Sequence, residues 1–407
     1  MNTRSPVPRY RAYEGPALFR QGFRPFFLAA GLWGATAVPL WLLAFHGSIA
    51  VPTAFDPAAW HAHEMIFGFA AAVVAGFLLT AIPNWTGRLP LQGLPLVTLF
   101  ALWLVGRGAM AGSAAIGAGP AAVLDLAFLV ALLAVALREI LAGRNWRNLP
   151  LLLALALRIA ANTLTHLQAT GLAEMGALGE RLGVAILVLL INLIGGRIIP
   201  SFTRNWLSKR GAGSLPAAFG GFDKLCLLTT LLALASWVFL PEHPLVGIAL
   251  LTAGALNLGR LARWRGARCL SEPLVWSLHL GFLWVPLGLL LLGLASFLSE
   301  TLLATAGLHA LTAGAVGAMT LAVMTRATLG HAGRELRADR ATTIIYLAVA
   351  LAAATRVAAP AFPQVYSQLL WASGLLWTLA FALFVVCYGR IHLSGPKNRP
   401  ASPGKKG

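Results

Sequence analysis

Long apolar stretches recur along the whole chain and alternate with short segments that carry most of the Lys and Arg residues. Each stretch has about 20 residues, which is the length that a helix needs to cross the hydrocarbon core of a bilayer. The pattern predicts an all-α fold, a polytopic membrane bundle of about twelve transmembrane helices. The predicted spans are 26–46, 60–83, 92–111, 119–141, 148–169, 179–200, 222–240, 244–262, 273–295, 301–325, 341–359 and 366–389.

The positive charges alternate between the two sides of this predicted bundle. With the N-terminus placed in the cytoplasm, 27 of the 31 Lys and Arg residues fall on the cytoplasmic side, as the positive-inside rule requires. Both termini are therefore predicted to be cytoplasmic, and the net charge of +18 reflects topology rather than a nucleic-acid partner. The exceptions are Arg107, Arg158, Arg181 and Arg356.

Composition supports one membrane-embedded domain. Only 11% of the residues are charged, whereas soluble domains carry about 25%. We predict a single membrane domain over residues 16–395 between disordered cytoplasmic tails at 1–15 and 396–407. Ser201–Gly221 is predicted to be the longest internal loop, and it separates the spans into two sets of six.

The second span begins with an unusual group of ionisable residues, because Trp60–Phe69 reads WHAHEMIFGF. Asp56 can cap the free N–H groups of this helix, and Pro57 suits its first position. His61 and His63 lie about 200° apart around a regular helix, at about 100° per residue. If both bind metal, they serve different metals or opposite sides of one bridged site. Glu64 shares a face with His61 and is a candidate proton relay from the outer side; the alternative is a helix N-terminal acid stabilised by the dipole.

The fifth span carries a polar stripe, since Arg158, Asn162 and His166 recur at intervals of four residues. Side chains at this spacing project from one helix face, so the stripe must face other helices or a cavity rather than lipid. Arg158 and Asn162 are candidate cofactor-binding residues, with the Arg158 guanidinium suited to a cofactor propionate. The alternative is a structural ladder of hydrogen bonds between helices.

Two further histidines lie deep in predicted spans. His279 is about 9 Å from the inner end of the ninth span, and His309 is about 10 Å from the outer end of the tenth, at about 1.5 Å per residue. Ala313 and Gly317 continue the face of His309, and small residues there leave room for a flat macrocycle. These two are the strongest candidate haem ligands, although packing around a hydrogen-bonded histidine explains the same pattern.

Six of the nine histidines thus lie in or beside apolar spans, in a chain that has few acidic residues. This favours metal binding over proton relay, because sites poor in carboxylates suit haem iron and copper. We place four candidate metal ligands in the outer half of the membrane and two towards the inside. The outer group is His61, His63, His166 and His309; the inner pair is His279 and His331. The other three histidines, His46, His243 and His392, are predicted to lie at the membrane interface.

The combined motifs resemble the NnrS family over about residues 16–390. They are FRPFF at 23–27, WHAHEMIFGF, GFLLTAIPNWTG at 76–87, NLIGGRIIPSF at 192–202, SLHLGFLWVPLG at 277–288 and the segment from His309 to His331. The resemblance implies a multi-pass protein of the bacterial cytoplasmic membrane that contains haem and copper and is linked to denitrification and nitric oxide resistance. Because the chain has no CxxCH motif, the haem is predicted to be non-covalent haem b. We predict that copper binds among His61, His63 and His166.

The predicted function is to bind nitric oxide and reduce it to nitrous oxide. Nitric oxide is small and apolar, so it partitions into the bilayer, and a quinol or another membrane donor would supply electrons. Glu64 and Arg158 are the predicted catalytic residues. The alternatives are a haem-based buffer or sensor of nitric oxide without turnover and, less favoured, a transporter. The segment 84–93 reads NWTGRLPLQG and lacks the charged motif of the twelve-span major facilitators.

Overall fold

The computed structural model describes residues 13–211, 213–298 and 301–395. These residues are 82% helical and contain no strand. Within these described ranges, twelve helices are long and apolar enough to span a membrane, as the sequence predicted. Numbered α1 to α12, they are Phe23–Phe45, Pro57–Thr86, Leu94–Ala111, Ala118–Ala142, Trp146–Ala169, Leu178–Ser208, Gly221–Phe239, Pro244–Ala262, Pro273–Leu298, Thr301–His331, Arg340–Ala361 and Pro363–Leu393.

Consecutive helices pack against one another, and α12 closes the arrangement by packing along α1. Arg24 of α1 is buried, and its guanidinium donates to the carbonyl oxygens of Ile391 and His392 at 2.8 and 3.1 Å. The last carbonyls of a helix have no partner within the helix. This arginine therefore satisfies the end of α12 and ties the last helix to the first.

Among the helices described, three contain π-helical segments, namely Glu64–Phe69 in α2, Ile191–Gly195 in α6 and Ala310–Gly317 in α10. Such wide turns are rare and are frequently found at functional sites. In α6, the buried Arg260 of α8 donates to the side-chain oxygen of Asn192 at 2.6 Å and to its carbonyl oxygen at 3.2 Å. A side chain from another helix thus satisfies a carbonyl of the π segment.

One predicted boundary was wrong. The helix α6 continues to Ser208, so the loop predicted to start at Ser201 begins eight residues later. The extension beyond Pro200 has polar and apolar residues on different sides, which lets it lie against the bundle after leaving the apolar core. The predicted tails fall outside the described residues except for 13–15, and the boundaries of the single membrane domain remain predictions.

The predicted orientation can be tested by cysteine labelling in intact cells. We expect Glu174→Cys to react with a membrane-impermeant maleimide and Ser208→Cys to be protected until the membrane is opened. Glu174 lies in the connection between α5 and α6, and Ser208 lies at the other end of α6. Both are exposed in the structure. The background would carry Ser at Cys226, Cys269 and Cys387. If Ser208→Cys alone were labelled in intact cells, the topology would be the opposite of the predicted one.

Candidate functional site

The start of α2 directs two histidines to opposite sides of the helix. The Asp56 carboxylate accepts hydrogen bonds from two backbone N–H groups of the first turn at 2.9 and 3.0 Å, and Pro57 occupies the first helical position. This confirms the predicted cap. His61 then faces a central cavity, whereas His63 faces α4 and α5. We call this end of the bundle, which is predicted to face outwards, the outer end.

The central cavity has a volume of about 730 Å³ and lies between helices of both halves of the chain. The His61 ring stacks on Trp41 with centroids 4.0 Å apart, and its buried Nδ1 has no hydrogen-bond partner among the described residues. His309 lines the same cavity from α10. Its Nδ1 lies 2.8 Å from the carbonyl oxygen of Thr305, so Nδ1 donates and Nε2 is left as the acceptor.

Charged residues line the same cavity. Arg181 donates from Nε to the carbonyl oxygen of Val238 at 3.0 Å, and Glu180 precedes it on α6. Arg356 of α11 is 9% exposed, and its Nη1 has no partner in the part of the chain that the structure describes. Sequence reasoning did not select these arginines as site residues. The signal was present, because both are exceptions to the positive-inside rule.

The predicted strip of small residues below His309 is partly filled. Ala313 lines the cavity, but Gly317 packs against the Trp377 ring, where a Cβ atom would clash. Both positions lie in the π segment of α10, whose wider turn moves residue 317 away from the face that a regular helix would give it. Val316 and the Trp377 ring instead form part of the cavity wall.

Behind α2, His63 joins Asp125 of α4 and His166 of α5 in a fully buried cluster. Each histidine has its Nε2 atom 3.1 Å from the same carboxylate oxygen, Oδ2 of Asp125. Asn162 donates to that oxygen at 2.6 Å, and its own amide oxygen lies 2.9 Å from His63 Nε2. We name these four residues, with Glu64, the His63 cluster; one potential ligand atom from each of His63, Asp125 and His166 lies within 4.8 Å of the others.

Arg107 of α3 holds the two carboxylates of this region together. Its guanidinium pairs with Oε1 of Glu64 and with Oδ1 of Asp125, and all three side chains are buried. Gly68 allows the approach, because a Cβ there would lie 2.6 Å from Arg107 Nη1 and 2.8 Å from Glu64 Oε2. Sequence reasoning missed Asp125 and Arg107 as site residues, although Arg107 is also an exception to the positive-inside rule.

The polar stripe of α5 faces other helices, as predicted, because Arg158, Asn162 and His166 are all buried. Arg158 donates from Nη2 to the carbonyl oxygen of Ile66 at 2.6 Å. Ile66 lies in the π segment of α2, and Trp103 donates to a second carbonyl of that segment at 3.0 Å. Arg158 therefore lies on the His63 side of α2, whereas Arg181 and Arg356 line the cavity.

The inner histidines lie apart from both groups. His279 of α9 has its Nε2 atom 2.8 Å from Thr203 Oγ1 and packs near Trp264. His331 is exposed at the end of α10. His392, which we predicted to be interfacial, is fully buried. It lies in the last turn of α12, where its ring packs against Phe23 and Phe384.

Within the described residues, twelve apolar helices and a buried His–Asp–His cluster between α2, α4 and α5 define a multi-pass membrane protein with a potential metal centre. The family model described as NnrS protein matches residues 17–395, which is nearly the whole chain. The chain belongs to the NnrS family, and the protein is therefore a metal-associated membrane protein related to nitric oxide. A comparison with curated proteins finds no match.

The ion pairs of Arg107 can be tested by their effect on stability. Replacing Arg107 with Met should lower the free energy of unfolding in detergent by about 3–5 kcal/mol, since it leaves two buried carboxylates without a cation. Adding Glu64→Gln to this variant should restore part of the loss, because it removes one of the two negative charges.

Arg88→Met is the matched control, because Arg88 pairs with Glu139 at 2.5 Å but its side chain is 42% exposed. Exposed pairs contribute about 0–1 kcal/mol. Equal losses in Arg107→Met and Arg88→Met would contradict the importance of the buried network.

Proposed function

We propose that this protein is a haem- and copper-containing protein of the bacterial cytoplasmic membrane that binds nitric oxide and reduces it to nitrous oxide. The observation that carries the proposal is the pair His61 and His309, whose imidazoles line one cavity from different helices. Family membership supports the connection to nitric oxide. The mainly apolar helices around the cavity support access of an apolar gas from the bilayer.

The cavity residues fit haem b in three respects. The volume of about 730 Å³ is within the range of cofactor sites, about 300–1,000 Å³. His61 and His309 offer ring nitrogens, and imidazole is a common axial ligand of haem iron. Arg181 and Arg356 offer guanidinium groups that match the carboxylates of propionates. When bound, haem would supply the iron at which nitric oxide binds and is reduced.

The reaction joins two molecules of nitric oxide with two electrons and two protons to give nitrous oxide and water. A quinol or another membrane donor would supply the electrons. Glu180 lines the cavity near its outer end, and its buried Oε2 has no partner among the residues described. We therefore propose Glu180 as the carboxyl group that passes protons into the cavity.

Glu64 and Arg158, the catalytic candidates from the sequence, receive different proposed roles. Glu64 contacts His63 and Arg107, and Arg158 contacts the backbone of α2. These contacts favour positioning of the His63 cluster over contact with nitric oxide. The copper proposed from the resemblance is expected on this side of α2, where two imidazoles lie together.

The haem proposal predicts which variants lose the cofactor. His309→Ala and His61→Ala should each lower the haem content of the purified protein or change its spin state, because each removes an imidazole from the cavity wall. The measurement is the reduced-minus-oxidised spectrum together with acid–acetone extraction, which should leave the polypeptide colourless. Unchanged spectra in both variants, or haem that resists extraction, would refute the proposal.

His279→Ala belongs to the same series, since His279 was also a predicted haem ligand. His279 contacts Thr203, and neither residue lines the cavity, so we expect retention of the cavity haem. Loss of haem in His279→Ala with retention in His309→Ala would move the proposed site to the inner half.

Turnover is tested with reduced protein in liposomes supplied with nitric oxide. We expect nitrous oxide to accumulate beyond one equivalent per protein, and Glu180→Gln to slow its formation while leaving the nitric oxide spectrum of the haem unchanged. Glu242→Gln is the control, because Glu242 also lines the cavity but is exposed. Stoichiometric binding without nitrous oxide, despite ample reductant, would favour the buffer alternative.

A further inference from the structure

We infer that His63, Asp125 and His166 bind one divalent first-row transition-metal ion, copper or iron, at a site separate from the cavity of His61. This inference deepens the proposed function, because it rests on the presence of a second metal there. It replaces the predicted group of His61, His63 and His166 with a set of two imidazoles and one carboxylate.

The distances suit a metal ion. Both Nε2 atoms lie 3.1 Å from Oδ2 of Asp125, and all three potential ligand atoms lie within 4.8 Å of one another. Metal bonds to histidine nitrogen and carboxylate oxygen are about 2.0–2.2 Å long, so neighbouring ligand atoms of one ion are about 3 Å apart. The three side chains come from α2, α4 and α5 and therefore approach a common point from different directions.

Both ring nitrogens of His63 face hydrogen-bond acceptors, but a neutral imidazole carries a proton on only one of them. His63 Nδ1 lies 3.1 Å from Oε1 of Glu64, which is the carboxylate contact that commonly orients a metal-bound histidine. A neutral imidazole that donates there presents a lone pair at Nε2. Yet Nε2 faces two oxygen acceptors, from Asp125 and Asn162, at 3.1 and 2.9 Å. Lone pairs that face one another in this way call for a cation between them, which is either a metal ion or a proton on Nε2.

The charges of the cluster also favour a further cation. Glu64 and Asp125 carry two negative charges, and Arg107, which pairs with both, carries one positive charge. The side chains are at most 5% exposed, and an uncompensated charge is costly at such burial. In addition, Glu64 Oε2 and His166 Nδ1 are buried without a partner within the described part of the chain.

The donor atoms indicate the class of metal. Imidazole suits copper, iron, zinc and nickel, and two histidines with one carboxylate form the ligand set of many non-haem iron sites. The family's link to redox-active nitric oxide favours copper or iron within this class. Asn162 and Arg107 would act as positioning residues, because each binds the Asp125 carboxylate without being a proposed ligand.

His61 belongs to the other site. Its ring stacks on Trp41 and lines the cavity together with His309. Substitution of His61 is therefore expected to affect only the haem, and substitution of His63 only the non-haem ion. The two variants form a matched pair, because the residues are two positions apart on one helix.

The experiment measures copper, iron and haem per chain in protein purified from cells grown with both metals. Wild type should contain one non-haem copper or iron ion in addition to haem. His63→Ala and His166→Ala should lose the non-haem ion and keep haem, whereas His61→Ala should keep the ion and lose haem. Whether the ion is copper or iron is read directly from the elemental analysis.

Asp125→Asn tests the carboxylate ligand, and His166→Gln serves as a second variant that leaves the Arg107 ion pairs intact if Asp125→Asn does not fold. Electron paramagnetic resonance of copper, or of the nitric oxide adduct of ferrous iron, should show two nitrogen ligands in wild type and one in His166→Gln. Wild-type protein without a non-haem ion would overturn the inference and indicate a protonated His63 instead. Loss of the ion in His61→Ala with retention in His166→Ala would also overturn it. A bound ion without nitrous oxide formation would refute only the proposed reduction.

Discussion

Every polar group in the apolar interior of this bundle needs a partner within the protein, because the bilayer offers none. The helix α2 concentrates this requirement. The carbonyls of Ile66 and Gly68 in its π segment accept from Arg158 and Trp103, and its Glu64 carboxylate pairs with Arg107. Two neighbouring helices, α3 and α5, thereby fix how α2 is rotated, and this rotation determines where its histidines point.

That rotation separates two chemical environments on one turn of helix. On one side, His61 and His309 line a cavity large enough for a macrocycle. On the other side, His63 lies in a compact cluster with Asp125 and His166. One helix, α2, therefore presents its two histidines to two different environments.

The histidine positions were predictable, but their partners were not. The spacing of His61 and His63 indicated opposite helix faces, and the stripe of α5 indicated that His166 is buried. Asp125 was visible as a rare acid in an apolar span, yet its meeting with His63 and His166 depends on how α2, α4 and α5 pack. Gly317 was likewise predicted to share the face of His309, because that prediction assumed a regular helix. The π segment of α10 changes the number of residues per turn, and Gly317 packs against Trp377 instead.

The sequence by itself determined the class of the protein, because span length, charge alternation and local caps are properties of nearby residues. It therefore predicted twelve membrane helices and the start of α2, and its motifs identified the NnrS family. Only the tertiary structure decided that His61 lines one cavity with His309, that His63 and His166 meet at Asp125, and that Arg107 bridges two carboxylates. These contacts join residues tens or hundreds of positions apart, so they depend on helix rotation and packing, which no local pattern specifies.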